Sequence, residues 1–151
     1  MTTYLPATAA TPVVRTDFSD QAAWTEVRDG ITGAHPDGFD AYVIFVDDAA
    51  FAGLTSAELL ERLPGGHDYA MLLVVDETTV SSPERPILVV ELDPETDGRA
   101  ARTFRALPGT VQDFEPALRI AAMDWMDCAD RVDDDGVLRT HLRYGTADDL
   151  S

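Results

Sequence analysis

Four aspartates stand where apolar runs end: Asp17 after "PVVRT", Asp47 and Asp48 after "AYVIFV", and Asp76 after "AMLLVV". Asp17 and Asp47 are 30 residues apart, and Asp47 and Asp76 are 29 apart. That is the length of a strand, a crossover helix and the next strand. Ligands of an open α/β sheet bind beyond the carboxyl ends of its parallel strands. Parallel pairing of the first three strands would therefore bring all four carboxylates to one edge. Convergent carboxylates repel unless a proton or a divalent cation sits among them. Hard oxygen ligands of this kind suit Mg or Mn. The expectation is a metal site at Asp17, Asp47, Asp48 and Asp76. The same positions also suit ordinary local roles. Asp48 precedes "AAFAG" and Asp17 precedes a helical segment, both as caps, while Asp76 opens a polar loop.

A second acidic stretch, "DRVDDDGVLR" (130–139), invites comparison with a calcium loop. An EF-hand needs oxygen ligands at positions 1, 3, 5 and 12, with glycine at 6. Setting Gly136 at 6 puts Arg131 at 1 and Leu142 at 12, so a cation and a hydrocarbon replace two ligands. The stretch reads as a turn in which Gly136 takes a positive φ. Asp124, Asp127 and Asp130 recur three apart and read as a solvated helix face. Beyond the turn, Arg139, His141 and Arg143 alternate onto one side of a strand. They suit internal ion pairing, or else an anion or oligomer contact. His35, His67 and His141 lack the spacing of a zinc site. Cys128 sits among Trp125, Met126 and Ala129 and reads as an inert buried thiol. No G-x-S-x-G, P-loop or dinucleotide fingerprint occurs.

The elements that must position these residues follow from periodicity. Trp24, Val27 and Ile31 share one helical face; Ser19 is the expected N-cap, and Gly30 and Gly33 the expected end. "TSAE" (55–58) is a capping box, with Leu59, Leu60 and Leu63 as the buried stripe and "PGG" (64–66) as the stop. "YVIFV" and "MLLVV" are continuously apolar, as strands covered on both faces are. The ten residues "ETTVSSPERP" are too short and too broken for a crossover helix, so "ILVVELD" returns antiparallel. "PETDG" then turns into "RAARTFRAL" as a further hairpin strand. A long helix from Glu115 or Pro116 to Arg131 follows, with Leu118, Ala121, Ala122, Trp125, Ala129 and Val132 on its core face. A last strand spans Val137 to Tyr144. The fold class is α/β (α+β mixed): a single mixed sheet in the order β-α-β-α-β-β-β-α-β, with helices packed on it. Residues 1–11 read as a flexible arm, 12–144 as one domain, and 145–151 as a polar tail.

Composition bounds what the chain does. Its 151 residues suffice for one core. No apolar run reaches the roughly 18 residues of a membrane span, and the N-terminus lacks the pattern of a signal peptide. One cysteine excludes an internal disulfide and fits a reducing cytoplasm. The net charge is −17, from 28 acids against 11 basic residues, and every one of the 11 is arginine. The absence of lysine and asparagine suits a high-GC genome or salt adaptation. Such a charge argues against nucleic acid and anionic membranes, since both require a basic surface. It favours a basic protein partner, cationic ligands, a divalent metal, or simple solubility.

"VVRTDFSDQAAW", "FVDDAAFAGLTSAELL" and "IAAMDWMDCADRVDDDGVLR" together resemble an uncharacterised family of small acidic bacterial proteins, a domain of unknown function common in high-GC Gram-positive bacteria. The resemblance runs from about Pro12 to Arg139. It implies no activity and no catalytic residue. Where that family suggests "NMDF", this chain has "AMDW" (122–125), and the tail after Arg139 is less typical. The acids after the strands also resemble the pocket of phosphoacceptor receiver domains, in pattern only, and the lysine of that pocket is missing. The leading expectation is a non-catalytic accessory or immunity-type interaction module for a basic partner. The alternative is a small metal-dependent enzyme or ligand-binding domain using the strand-end aspartates. A third possibility is that the acidity is adaptation alone.

Overall fold

Strand β3 (Met71–Val75) shows why the apolar runs are unbroken: its five residues are all buried, on alternating faces. Met71, Leu73 and Val75 join one core cluster, while Leu72 and Val74 join a second on the other side of the sheet. A computed structural model describes residues 3–6, 10–33, 42–65, 69–92, 100–119 and 124–139. Within it, six strands form one mixed sheet in the order β2-β1-β3-β4-β5-β6. These are β1 (Thr11–Arg15), β2 (Val43–Val46), β3, β4 (Ile87–Leu92), β5 (Ala100–Ala106) and β6 (Val137–Leu138). β1 runs parallel to both β2 and β3, whereas β4 is antiparallel to β3 and to β5. The sheet and its chain order are those the sequence predicts.

The helices are α1 (Gln21–Thr32), α2 (Ser56–Leu60), α3 (Glu77–Ser81), α4 (Val111–Arg119) and α5 (Trp125–Ala129). From β1 the chain steps outward through α1 to β2, then returns through α2, past β1, to β3. Right-handed crossovers in opposite directions place their helices on opposite faces. Accordingly, Trp24, Val27 and Ile31 of α1 lie in the first cluster, and Leu59 of α2 lies in the second. Phe114, Trp125 and Cys128 add α4 and α5 to the first face, where Phe104 packs against Trp125 at a 59° tilt with centroids 4.8 Å apart. Leu5 packs into the second cluster, and its N–H donates to the Arg62 carbonyl.

Local details depart from the sequence reading in several places. Glu77–Ser81, expected as part of a broken loop, forms the short helix α3, capped by Asp76. The N-cap of α1 is Asp20, not Ser19; its carboxylate accepts from the N–H groups of Ala22 and Ala23. Ser19 instead bonds to Asp17. Gly30 lies inside α1 rather than ending it, and the absence of a side chain lets Pro108 pack there, since a Cβ would stand 2.7 Å from Cβ of Pro108; Gly33 is the C-cap. The long helix begins earlier, at Val111 behind a 3₁₀ turn (Pro108–Thr110), so Pro116 sits within α4. The described residues show α4 and α5 as two separate helices, with Asp124 as the N-cap of α5. Ala121 and Ala122 lie outside the described residues.

Candidate functional site

The parallel register sets the carboxyl ends of β1, β2 and β3 at one edge, where all four predicted aspartates stand. The ends of β1 and β3 are tied together. The N–H groups of Thr16 and Asp17 donate to the Val75 carbonyl at 3.0 and 3.3 Å, and Thr16 Oγ1 donates to the same oxygen. Asp17 is thereby held beside the residue that precedes Asp76. This is also where the connections diverge, α1 to one face and α2 to the other. It is the topological switch point at which doubly wound sheets place their ligands.

Each aspartate has a defined environment. Asp17 Oδ1 accepts from both the backbone N–H and the hydroxyl of Ser19. Asp47 Oδ1 accepts from Arg15 Nη1 at 3.2 Å, and the same nitrogen reaches Gln21 Oε1 at 3.0 Å. Arg15 is only 4% exposed, with its guanidinium 4.4 Å from the Phe18 ring centroid and 5.4 Å from that of Trp24. Asp48 caps the 3₁₀ turn Ala49–Phe51 by accepting from Ala50 N–H. Asp76 caps α3 through the Thr79 N–H and receives Arg105 end-on, Nη1 to Oδ1 at 3.0 Å and Nη2 to Oδ2 at 2.8 Å. Burial disfavours its charge, but the Arg105 and Thr79 bonds outweigh burial and hold the Asp76 carboxyl below the usual carboxylate range. Sequence reasoning named the aspartates but missed Arg15 and Arg105. Arg15 carried one usable signal, a charge at the end of an otherwise uncharged, buried strand.

A cleft of about 690 Å3 opens at the switch point. Small-molecule sites span roughly 300–1,000 Å3, so it is of useful size. Val74, Leu88 and Leu54 give it an apolar floor; Ser19, Thr55, Ser56 and Thr78 bring hydroxyls; Asp17, Asp76 and Glu77 bring carboxylates. The Gly53 N–H, bonded to the Thr16 carbonyl at 2.8 Å, closes one wall. Of the four predicted metal ligands, the cleft thus gathers Asp17 and Asp76, whereas Asp47 and Asp48 are not part of its lining. Among the described residues, no group of three or more His, Cys, Asp or Glu side chains is arranged to hold a metal ion.

The second acidic stretch is a turn. Gly136 has φ +79°, and its N–H donates to the Asp133 carbonyl. Arg139 gathers the acids around it, reaching Asp133 and Asp135 within the stretch and Glu84 across the fold. His141 and Arg143 lie outside the described residues, as do His35 and His67. Asp124, Asp127 and Asp130 are exposed on α5 and its ends. Cys128 is buried; burial foremost, with the Asp127 charge nearby, pushes its thiol pKa up to about 12, so the reactive thiolate is scarce. No helix among the described residues is long and apolar enough to cross a membrane.

Residues 10–141 match the model of a family described as a domain of unknown function, DUF6924, and the chain belongs to that family. No curated protein and no solved structure matches the chain.

Proposed function

For this member of the DUF6924 family, we propose a non-catalytic interaction module of the accessory or immunity type, whose acidic surface receives a basic partner protein. The observation that carries the reading is the internal engagement of the arginines. Arg15, Arg85, Arg102, Arg105, Arg119 and Arg139 each hold a carboxylate of the same chain. With 28 acids against 11 basic residues, a large surplus of negative charge remains to face outward. A field of one sign steers an oppositely charged partner and repels its like. The test is the affinity of the whole chain for an arginine-rich decapeptide against an acidic decapeptide, measured across salt. Tight, salt-sensitive binding of the basic peptide alone supports the module; no binding at low salt sinks it.

A second reading, a ligand-binding or Mg- or Mn-dependent domain, is favoured by Asp17 and Asp76 sharing one cleft. Thermal unfolding with each metal at matched ionic strength tests it. At 100 times the dissociation constant, a bound metal adds about 2.7 kcal/mol of stability. That gain should appear in wild type and vanish in Asp17→Asn. Equal small shifts in both would mean charge screening.

A further inference from the structure

We infer that the cleft between the ends of β1 and β3 seats an alkylguanidinium or alkylammonium group, presented as an arginine or lysine side chain by the basic partner. The inference rests on the reading of a basic partner and adds the place where that partner is gripped.

The cleft divides as such a side chain does. Phe18, Leu54, Val74 and Leu88 supply apolar surface for a hydrocarbon stem, and Asp17, Glu77 and the hydroxyls of Ser19, Thr55, Ser56 and Thr78 supply acceptors for its head. Both oxygens of Asp76 are taken by Arg105, and Arg15, behind Phe18, is paired with Asp47, which leaves Asp17 and Glu77 as counter-charges; among the described residues no arginine lines the cleft. Both bonds from Ser19 fall on Oδ1 of Asp17, and Glu77 is exposed.

An anion is the obvious competitor, because α2 and α3 begin at the cleft and helix N-termini attract negative charge. Their own caps occupy that role. Thr55 Oγ1 accepts from Glu58 N–H, Glu58 returns a bond to Thr55 N–H, and Asp76 accepts from Thr79 N–H. Each of these helices has only five residues, too short for a large dipole. The Thr55 hydroxyl and the carboxylates of Glu58 and Asp76 already fill places an anion would take.

The probes are butylguanidinium chloride and a glycine-flanked single-arginine peptide, titrated at constant ionic strength with backbone NMR signals as the readout. Saturable shifts confined to residues 16–19, 52–56 and 76–78 are expected for both. The Asp17→Asn/Glu77→Gln double variant should weaken binding at least tenfold. Ala52→Trp, at an exposed cleft-lining position and without charge change, should block it sterically. Shifts that do not saturate, that spread over α5 and the acidic turn, or that persist in Ala52→Trp overturn the inference. Binding of butylguanidinium without the peptide overturns the presented side chain in favour of a free small cation. The arginine-rich decapeptide separates this inference from the reading beneath it. Unchanged decapeptide affinity in both variants would refute the cleft while leaving the basic-partner module standing. A decapeptide that fails to bind wild type would refute the module, and the butylguanidinium titration would still decide whether the cleft takes a cation.

Discussion

Arg105 on β5 reaches past β4 to grip Asp76 at the end of β3, with both carboxylate oxygens engaged at 3.0 and 2.8 Å. The pair spans three strands, and its acid is also the cap of α3. The two side chains are 22% and 26% exposed, so water screens the pair only in part.

Arg105→Ala should destabilise the fold by about 1–3 kcal/mol, since it strips a charged hydrogen-bond partner from a half-buried carboxylate. Urea unfolding of the two proteins measures this. The Asp76 carboxyl is held below its ordinary value, so its contribution is present above the unfolded pKa and is lost as pH falls through the lower folded value. Arg105→Ala should therefore shrink the loss of stability on acidification below about pH 4. An unchanged acid limb would contradict the assignment.

Glu115 on α4 is fully buried and accepts from Thr11 Oγ1, Tyr42 N–H and Arg119 Nε, each at 2.8 Å. It pins the starts of β1 and β2 beneath α4. Glu115→Ala orphans all three donors and should cost on the order of 3 kcal/mol. Glu115→Gln, which keeps an acceptor oxygen, should cost less. Equal losses would mean that packing, not hydrogen bonding, holds the residue there.

Arg139 draws Glu84 and Asp135 below the usual carboxylate range, chiefly by hydrogen bonding to each. Both groups are exposed, so the effect should be small and salt-sensitive. In Arg139→Ala, carboxyl NMR titrations should show both acids returning upward toward ordinary values. The contribution they lose in that variant is one that wild type retains above the unfolded pKa and sheds in acid.

Cys128 should resist thiol reagents in the folded protein at pH 8 and react stoichiometrically in urea. Its burial keeps the thiol protonated and inaccessible. Rapid labelling of the native protein would place the residue elsewhere.

Some features set by near neighbours were legible in the sequence, though the cap of α1 fell one residue away, at Asp20. The capping box of Thr55 and Glu58 forms across three residues, and the stripe of Trp24, Val27 and Ile31 lies on one helix. The order of elements along the chain followed because apolar runs and short broken loops constrain it. What the sequence did not disclose depends on residues far apart along the chain. Arg15 meets Asp47 at a separation of 32 residues, Arg105 meets Asp76 at 29, and Thr11 meets Glu115 at 104. The positions of the four strand-end aspartates were predictable; the arginines that occupy two of them were not. The start of α4 was misplaced because a proline suggested a first turn, whereas the 3₁₀ turn at Pro108 already leads into the helix.

Among the described strands β1 is synthesised before the others, yet it is flanked by β2 and β3 in the finished sheet. Until Val75 has been synthesised, Val13 and Val14 lack the neighbour that completes their hydrogen-bonding edge. The later β4 and β5 form an antiparallel hairpin that needs no such wait. A nascent chain therefore carries the unpaired edge of β1 until β3 has been made, and unpaired strand edges are prone to aggregate. The acidic surplus bears on that stage too, since like charges repel one another between unfinished copies of the chain.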